Sequence, residues 1–230
     1  MLIFLQNCWL SLLLTAVISY LLGSISFAII VTRLFSGKDI RSFGSGNAGA
    51  TNVLRSQGKL PAALTFIGDL AKSMLSVYIG GLLLCHLQLT PLADSVYLTH
   101  NQEHLALIGS YLAGLCCVIG HLYPVFFGFR GGKGVMTTFG MMLILDWRTA
   151  LIAFGIFCIV FLCSRMVSLG SIVAGISLPI ITYFMRTYVY HQDWETVTFC
   201  MAAIAVVAVI VIIKHRQNIK RIANGTENKL

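Results

Sequence analysis

The stretch Phe129-Arg130-Gly131-Gly132-Lys133-Gly134 sets two cationic side chains among three glycines, between two long apolar runs. Glycine has no Cβ, so successive glycines let backbone N–H groups converge on one anion and permit positive φ. An apolar run begins at Val135, where a helix start would aim further partial positive charge at the same point. The chemistry favoured is oxyanion binding: Lys133 and Arg130 supply charge, and Gly131, Gly132 and Gly134 allow close backbone approach. A nucleotide-binding P-loop is excluded, because Phe127 stands where that pattern needs its first glycine and Gly134 where it needs Ser or Thr. The plain alternative is a turn with membrane-edge anchors.

Two more stretches could hold an anion. Residues 44–55, GSGNAGATNVLR, interleave Ser45, Asn47, Thr51 and Asn52 with glycines and end on Arg55, which can grip an oxyanion bidentately. Residues 214–221, KHRQNIKR, carry His215 and Asn218 and precede Gly225-Thr226-Glu227. The structural readings of these stretches are a flexible loop and a juxtamembrane basic cluster, the latter apt for Lys220, Arg221 and Lys229. His121 stands in Gly120-His121-Leu122-Tyr123-Pro124, lining the same site or capping a helix. Asp69 and Lys72 stand three apart, on one helix face; buried charge in a membrane points to function, and mutual neutralisation near the inner edge explains it equally well. Ser168 and Ser171 fall at a helix start, as N-caps or substrate contacts.

These groups must be positioned by membrane helices. Of 230 residues 57% are hydrophobic and 10% charged, against roughly 25% charged in soluble domains. Apolar runs at 9–35, 61–87, 105–127, 135–163, 166–184 and 196–213 are the candidate spans. Asp146-Trp147-Arg148 interrupts the fourth, which is expected to split there into two short or tilted helices, giving an all-α integral membrane protein of about seven transmembrane helices. The polar connections, 36–60 and 88–104, are read as loops. No cleaved signal is expected, because residues 1–10 lack Lys and Arg. One polytopic membrane domain is expected over residues 1–230. With the N-terminus outside and the C-terminus cytoplasmic, only Arg148 and Arg186 fall on outer segments and only Lys72 within a span. Every other Lys and Arg lies inside, as the positive-inside rule requires. The three polar stretches then share the inner face. The net charge of +8 therefore needs no nucleic acid. The seven cysteines lie in apolar segments without a C-x-x-C and are read as small buried hydrophobes, neither disulfides nor metal ligands. His86, His100, His104 and His191 fall on or near the outer face and receive no role.

Residues 44–55, 120–135 (GHLYPVFFGFRGGKGV) and 214–227 (KHRQNIKRIANGTE) resemble, in order and spacing, the three signature motifs of bacterial acyl-phosphate:glycerol-3-phosphate acyltransferases; Asp69-Leu70-Ala71-Lys72 resembles that family's D-x-x-K. The resemblance implies an inner-membrane enzyme, its active site facing the cytoplasm. It moves an acyl chain from acyl phosphate to glycerol 3-phosphate, giving 1-acylglycerol 3-phosphate and phosphate in phospholipid synthesis. No metal, no cofactor, and no acyl-CoA or acyl-carrier protein as direct donor is implied. It assigns Ser45, Arg55, Lys133, His215 and Asn218 to the glycerol-3-phosphate site. Thr51, Gly131 and Gly132 fall to the acyl phosphate, and Asn47, Gly134 and one of Ser168 or Ser171 are further substrate contacts. Glu227 resembles the family's terminal acid, with a structural role. The alternative from another class is a membrane carrier for a phosphorylated metabolite. Carriers often show paired halves with polar groups at the midplane, whereas here no internal repeat is visible and the polar stretches lie on one rim.

Overall fold

The computed structural model describes residues 2–86 and 102–230, with side chains for 8–85 and 103–230. The predicted 88–104 connection lies largely outside the described residues. Ten α-helices follow in order among the described residues: α1 (Leu2–Gly23), α2 (Phe27–Ser36), α3 (Ala50–Gln57), α4 (Lys59–His86), α5 (Gln102–Leu122), α6 (Val135–Leu145), α7 (Trp147–Ser164), α8 (Val167–Phe184), α9 (Trp194–Lys214) and α10 (Arg216–Ala223). Two compact units divide the chain, Met1–Leu145 and Asp146–Leu230.

Among the described residues, six stretches are long and apolar enough to cross a membrane: Cys8–Ser36, Lys59–Cys85, Glu103–Phe127, Trp147–Ser164, Val167–Val189 and Trp194–Lys214. The split at Asp146 is present. Its carboxylate caps α7, accepting from the Arg148 amide at 3.2 Å and the Thr149 amide at 3.3 Å. The two pieces are unequal, contrary to expectation. At 1.5 Å per residue the 18 residues of α7 reach about 27 Å. The 11 residues of α6 reach about 16 Å, roughly half a ~30 Å hydrocarbon core.

The first apolar run is not one helix. It breaks at Ser24–Ser26, where both serines are buried. An irregular backbone inside a membrane persists only where protein satisfies its polar groups. Lys72, midway along α4, does so by donating from Nζ to the carbonyls of Gly23 at 3.0 Å and Ile25 at 2.7 Å. The polar stretch 36–60, read as a loop, contains α3 and a short 3-10 turn, Ile40–Ser42.

Helix packing in unit 1 rests on small residues, because lipid removes the hydrophobic drive for helices to associate. Gly23 lies against the Cys117 backbone, Gly120 against the Tyr20 carbonyl, and Gly109 against the Gly80 backbone. A Cβ on Gly109 would collide with that backbone. Gly109→Val should therefore lower the melting temperature in detergent by an amount equivalent to about 1–3 kcal/mol, the usual cost of overpacking. In unit 2, α8 packs between α7 and α9. After Phe184 the helix widens into a π-type turn, Met185–Val189. Cys8, Cys117 and Cys200 are buried as expected, but Cys163 is exposed on apolar α7. A thiol behaves there as another small apolar group against lipid.

Candidate functional site

Unit 1 positions two of the three polar stretches. In the first, the buried Asn52 is the organiser. Its Nδ2 donates to the carbonyls of Ile40 at 3.3 Å, Phe43 at 3.0 Å and Asn47 at 3.1 Å, while Oδ1 accepts from the Ser45 amide at 3.2 Å. Gly44 and Gly46 turn the chain at φ +50° and +70°, a region open to glycine at little cost. Ser45 and Arg55 are thereby exposed, and Asn47 and Thr51 half-buried.

The glycine loop differs from expectation in how it uses its backbone. The Gly131 amide donates to the Leu122 carbonyl at 3.2 Å and the Gly132 amide to the His121 carbonyl at 3.1 Å. These two N–H groups therefore hold the loop onto the end of α5 rather than converging on an anion. Positive φ falls instead at Gly128, Phe129 and Gly134. Glycine is required at 131 and 132 by contact. A Cβ on Gly131 would collide with the His121 carbonyl, and one on Gly132 with His121 Nε2 and the Ala48 carbonyl. Lys133 is half-buried, and α6 begins at Val135 as expected.

One side chain joins the two stretches. Arg41 Nη1 donates to the Phe127 carbonyl at 2.7 Å and the Arg130 carbonyl at 3.2 Å, and its other nitrogens engage Asp39 at 3.0 and 2.9 Å. Arg33 completes the clamp at 3.0 Å from Asp39. A cleft of about 610 Å³ opens here, lined by Asp39, Arg41, Gly46, Phe127, Gly128, Arg130 and Gly131. The Arg41 guanidinium holds the Asp39 pKa down to about 2. A lowered folded-state value stabilises fully above the unfolded carboxylate pKa of about 4 and is lost as pH falls toward 2. Melting temperatures of the wild type and Asp39→Asn should thus differ at neutral pH and converge through that window.

The His121 ring points into the bundle of unit 1. It is buried beside an ion pair: Lys72 Nζ lies 2.8 Å from Asp69 Oδ1, and His121 Nδ1 lies 3.1 Å from Lys72 Nζ and 3.5 Å from Asp69 Oδ1. The pair sits midway along α4 rather than near its inner edge.

Unit 2 builds the third stretch around Glu227. Its Oε1 accepts from Ser168 Oγ at 2.7 Å and Asn218 Nδ2 at 2.6 Å, and its Oε2 from Arg221 Nε at 2.7 Å. Burial alone would push this carboxyl up; the three hydrogen bonds outweigh it and hold the pKa below the ordinary glutamate value. Arg221 is therefore more than a lipid-facing charge. The segment is the helix α10, entered through the buried His215, whose Nδ1 lies 2.8 Å from the Val211 carbonyl. Neither serine is an N-cap: Met166 holds that position. Ser168 joins the Glu227 cluster, whereas Ser171 bonds back to the Val167 carbonyl at 2.8 Å. The sequence shows Asn52 as one polar side chain among four and gives no sign of its organising role, and it offers Asp69, Lys72 and His121 as candidates without joining His121 to the pair.

The family model described as glycerol-3-phosphate acyltransferase matches residues 13–225. A glycerol-3-phosphate acyltransferase of Carboxydothermus hydrogenoformans is 39% identical over 221 residues, covering 95% of this chain and 96% of its own. That of Neisseria meningitidis serogroup A is 37% identical over 215 residues, covering 93% and 94%. Among solved structures, the glycerol 3-phosphate form of PlsY, an integral membrane glycerol 3-phosphate acyltransferase, is similar with TM-score 0.75 at 33% identity, covering 96% of both chains. Its lysophosphatidic acid form gives 0.73 at 32% identity, covering 96% of this chain and 95% of that one.

Proposed function

We propose, for a chain that belongs to the glycerol-3-phosphate acyltransferase family, that the acyl group it transfers comes from an acyl phosphate. The protein is a multi-pass membrane acyltransferase, and glycerol 3-phosphate is its acceptor. The glycerol hydroxyl attacks the acyl carbonyl and the bond from that carbon to the phosphate oxygen breaks. The hydroxyl proton passes to the departing phosphate, leaving 1-acylglycerol 3-phosphate and inorganic phosphate. The donor is already activated, so the protein needs to place the hydroxyl and stabilise charge on the leaving group, without a nucleophilic triad.

In this reading Ser45, Arg55, Lys133, His215 and Asn218 bind glycerol 3-phosphate and the developing charge. Asn47, Thr51, Gly131, Gly132 and Gly134 accommodate the acyl phosphate, Gly131 and Gly132 by letting the loop lie close against the end of α5. Of the two serines Ser168 is the substrate contact, since it shares Glu227 with Asn218. The reaction takes place at the cytoplasmic face of the inner membrane, as the first acylation step of phospholipid synthesis. The observation that supports the reading is the Arg41 clamp, which ties the turn just before the first polar stretch to the glycine loop at one end of unit 1.

The test supplies purified protein in lipid with labelled glycerol 3-phosphate and, in separate arms, acyl phosphate, acyl-CoA or acyl-carrier protein. Acylated product from acyl phosphate alone is expected. Product from acyl-CoA or acyl-carrier protein at a comparable rate would overturn the donor assignment.

A further inference from the structure

Acyl transfer from an activated donor leaves one buried charged cluster of unit 1 without a task. Asp69, Lys72 and His121 are 1%, 4% and 5% exposed, and a buried ion pair rarely adds net stability over apolar packing. Its geometry points elsewhere. Lys72 Nζ has four polar neighbours: the Gly23 and Ile25 carbonyls, Asp69 Oδ1 and His121 Nδ1, all within 3.1 Å. It thus pins the broken first helix, α4 and α5 to one point. His121 carries that point onward to the glycine loop. Its carbonyl accepts the Gly132 amide, and its Nε2 and the Ala48 carbonyl both occupy the place of a Gly132 Cβ. Gly132 is therefore held between the His121 ring and the first polar stretch, and the next residue is Lys133.

We propose that Asp69, Lys72 and His121 are positioning residues for Lys133: they fix the register of the glycine loop through Gly132 without touching substrate. This rests on the reading that Lys133 acts in acyl transfer. The ion pair fixes the ring, the ring and its carbonyl fix Gly132, and Gly132 fixes where the Lys133 stem leaves the backbone. An ammonium displaced by about 1 Å loses much of its effect on a transition state, a cost that can reach 10²-fold.

The experiment measures kcat and KM per folded molecule for His121→Asn, for the paired Asp69→Leu/Lys72→Met variant, for Lys133→Ala and for each combined with Lys133→Ala. The folded fraction comes from size exclusion in detergent. His121→Asn keeps an acceptor toward Lys72 but withdraws the ring from Gly132. The paired variant leaves no lone buried charge, so it answers the same question if His121→Asn does not fold. Expected is a fall in kcat of about tenfold or more with KM for glycerol 3-phosphate changed less than about threefold. In the Lys133→Ala background the further loss should be under about threefold, because residues acting through one group are not additive. Wild-type kcat per folded molecule, or losses that multiply in full, would overturn the positioning role. If Lys133→Ala itself turns over normally, the failure lies with the acyl-transfer role of Lys133.

Discussion

Lys133→Ala should lower kcat by about 10²-fold or more while the protein remains folded, the loss usual for one group aimed at developing charge. Lys133 is half-buried, at the junction of the glycine loop and α6. The loop around it is held by contacts that do not involve its side chain: Gly131 and Gly132 to the end of α5, and Arg41 to the Phe127 and Arg130 carbonyls. Truncation leaves those contacts in place and removes the charge. Lys133→Arg keeps the charge in a planar fork with different reach, and the two are not interchangeable at a fitted site; it should recover only part of the rate. Steady-state kinetics in lipid with acyl phosphate and glycerol 3-phosphate checks both. Undiminished turnover in the alanine variant would remove Lys133 from the chemistry.

Asn52→Leu should cost about 3 kcal/mol of stability and most of the activity, although Asn52 carries out no chemistry. Its amide supplies three carbonyls of the first polar stretch with a donor and holds the Ser45 amide. Each buried polar group left without a partner costs about 1–3 kcal/mol, and water reaches some of them once the turn loosens. Asn52→Asp is the sharper probe: it still accepts from the Ser45 amide but aims a carboxylate at three carbonyls. It should be at least as damaging as the leucine, whereas a residue needed only for volume would tolerate it. Thermal unfolding in detergent separates the two outcomes.

Where a feature is local, it can be read from the residues around it. The split at Asp146, the helix start at Val135 and the pairing of Asp69 with Lys72 all follow from spacing and side-chain type within a few positions. The break at Ser24–Ser26 does not, because an apolar run with two serines is compatible with unbroken helix. What stabilises the break is an ammonium 47 residues away from Ile25. The glycines at 131 and 132 were legible as necessary but not for the right reason: sequence points to amides facing an anion, and the structure spends those amides on α5. Asn47, Thr51, Ser45 and Arg55 were visible as polar groups, but the buried Asn52 that shapes them looked like one more of their kind. The choice between Ser168 and Ser171 turns on Glu227, 59 residues away from Ser168.

The broken first helix also bears on how the protein is assembled. An isolated helix 59–86 entering lipid would carry Asp69 and Lys72 at its centre, each penalised by about 2.5–3.5 kcal/mol on insertion scales. Their mutual contact offsets part of that, and the carbonyls of Gly23 and Ile25 offset more. Those carbonyls belong to the segment synthesised first, so the groups that receive the Lys72 ammonium precede it along the chain. Supplying the first segment on a separate polypeptide should therefore lower the insertion efficiency of helix 59–86, which glycosylation mapping of that helix would read.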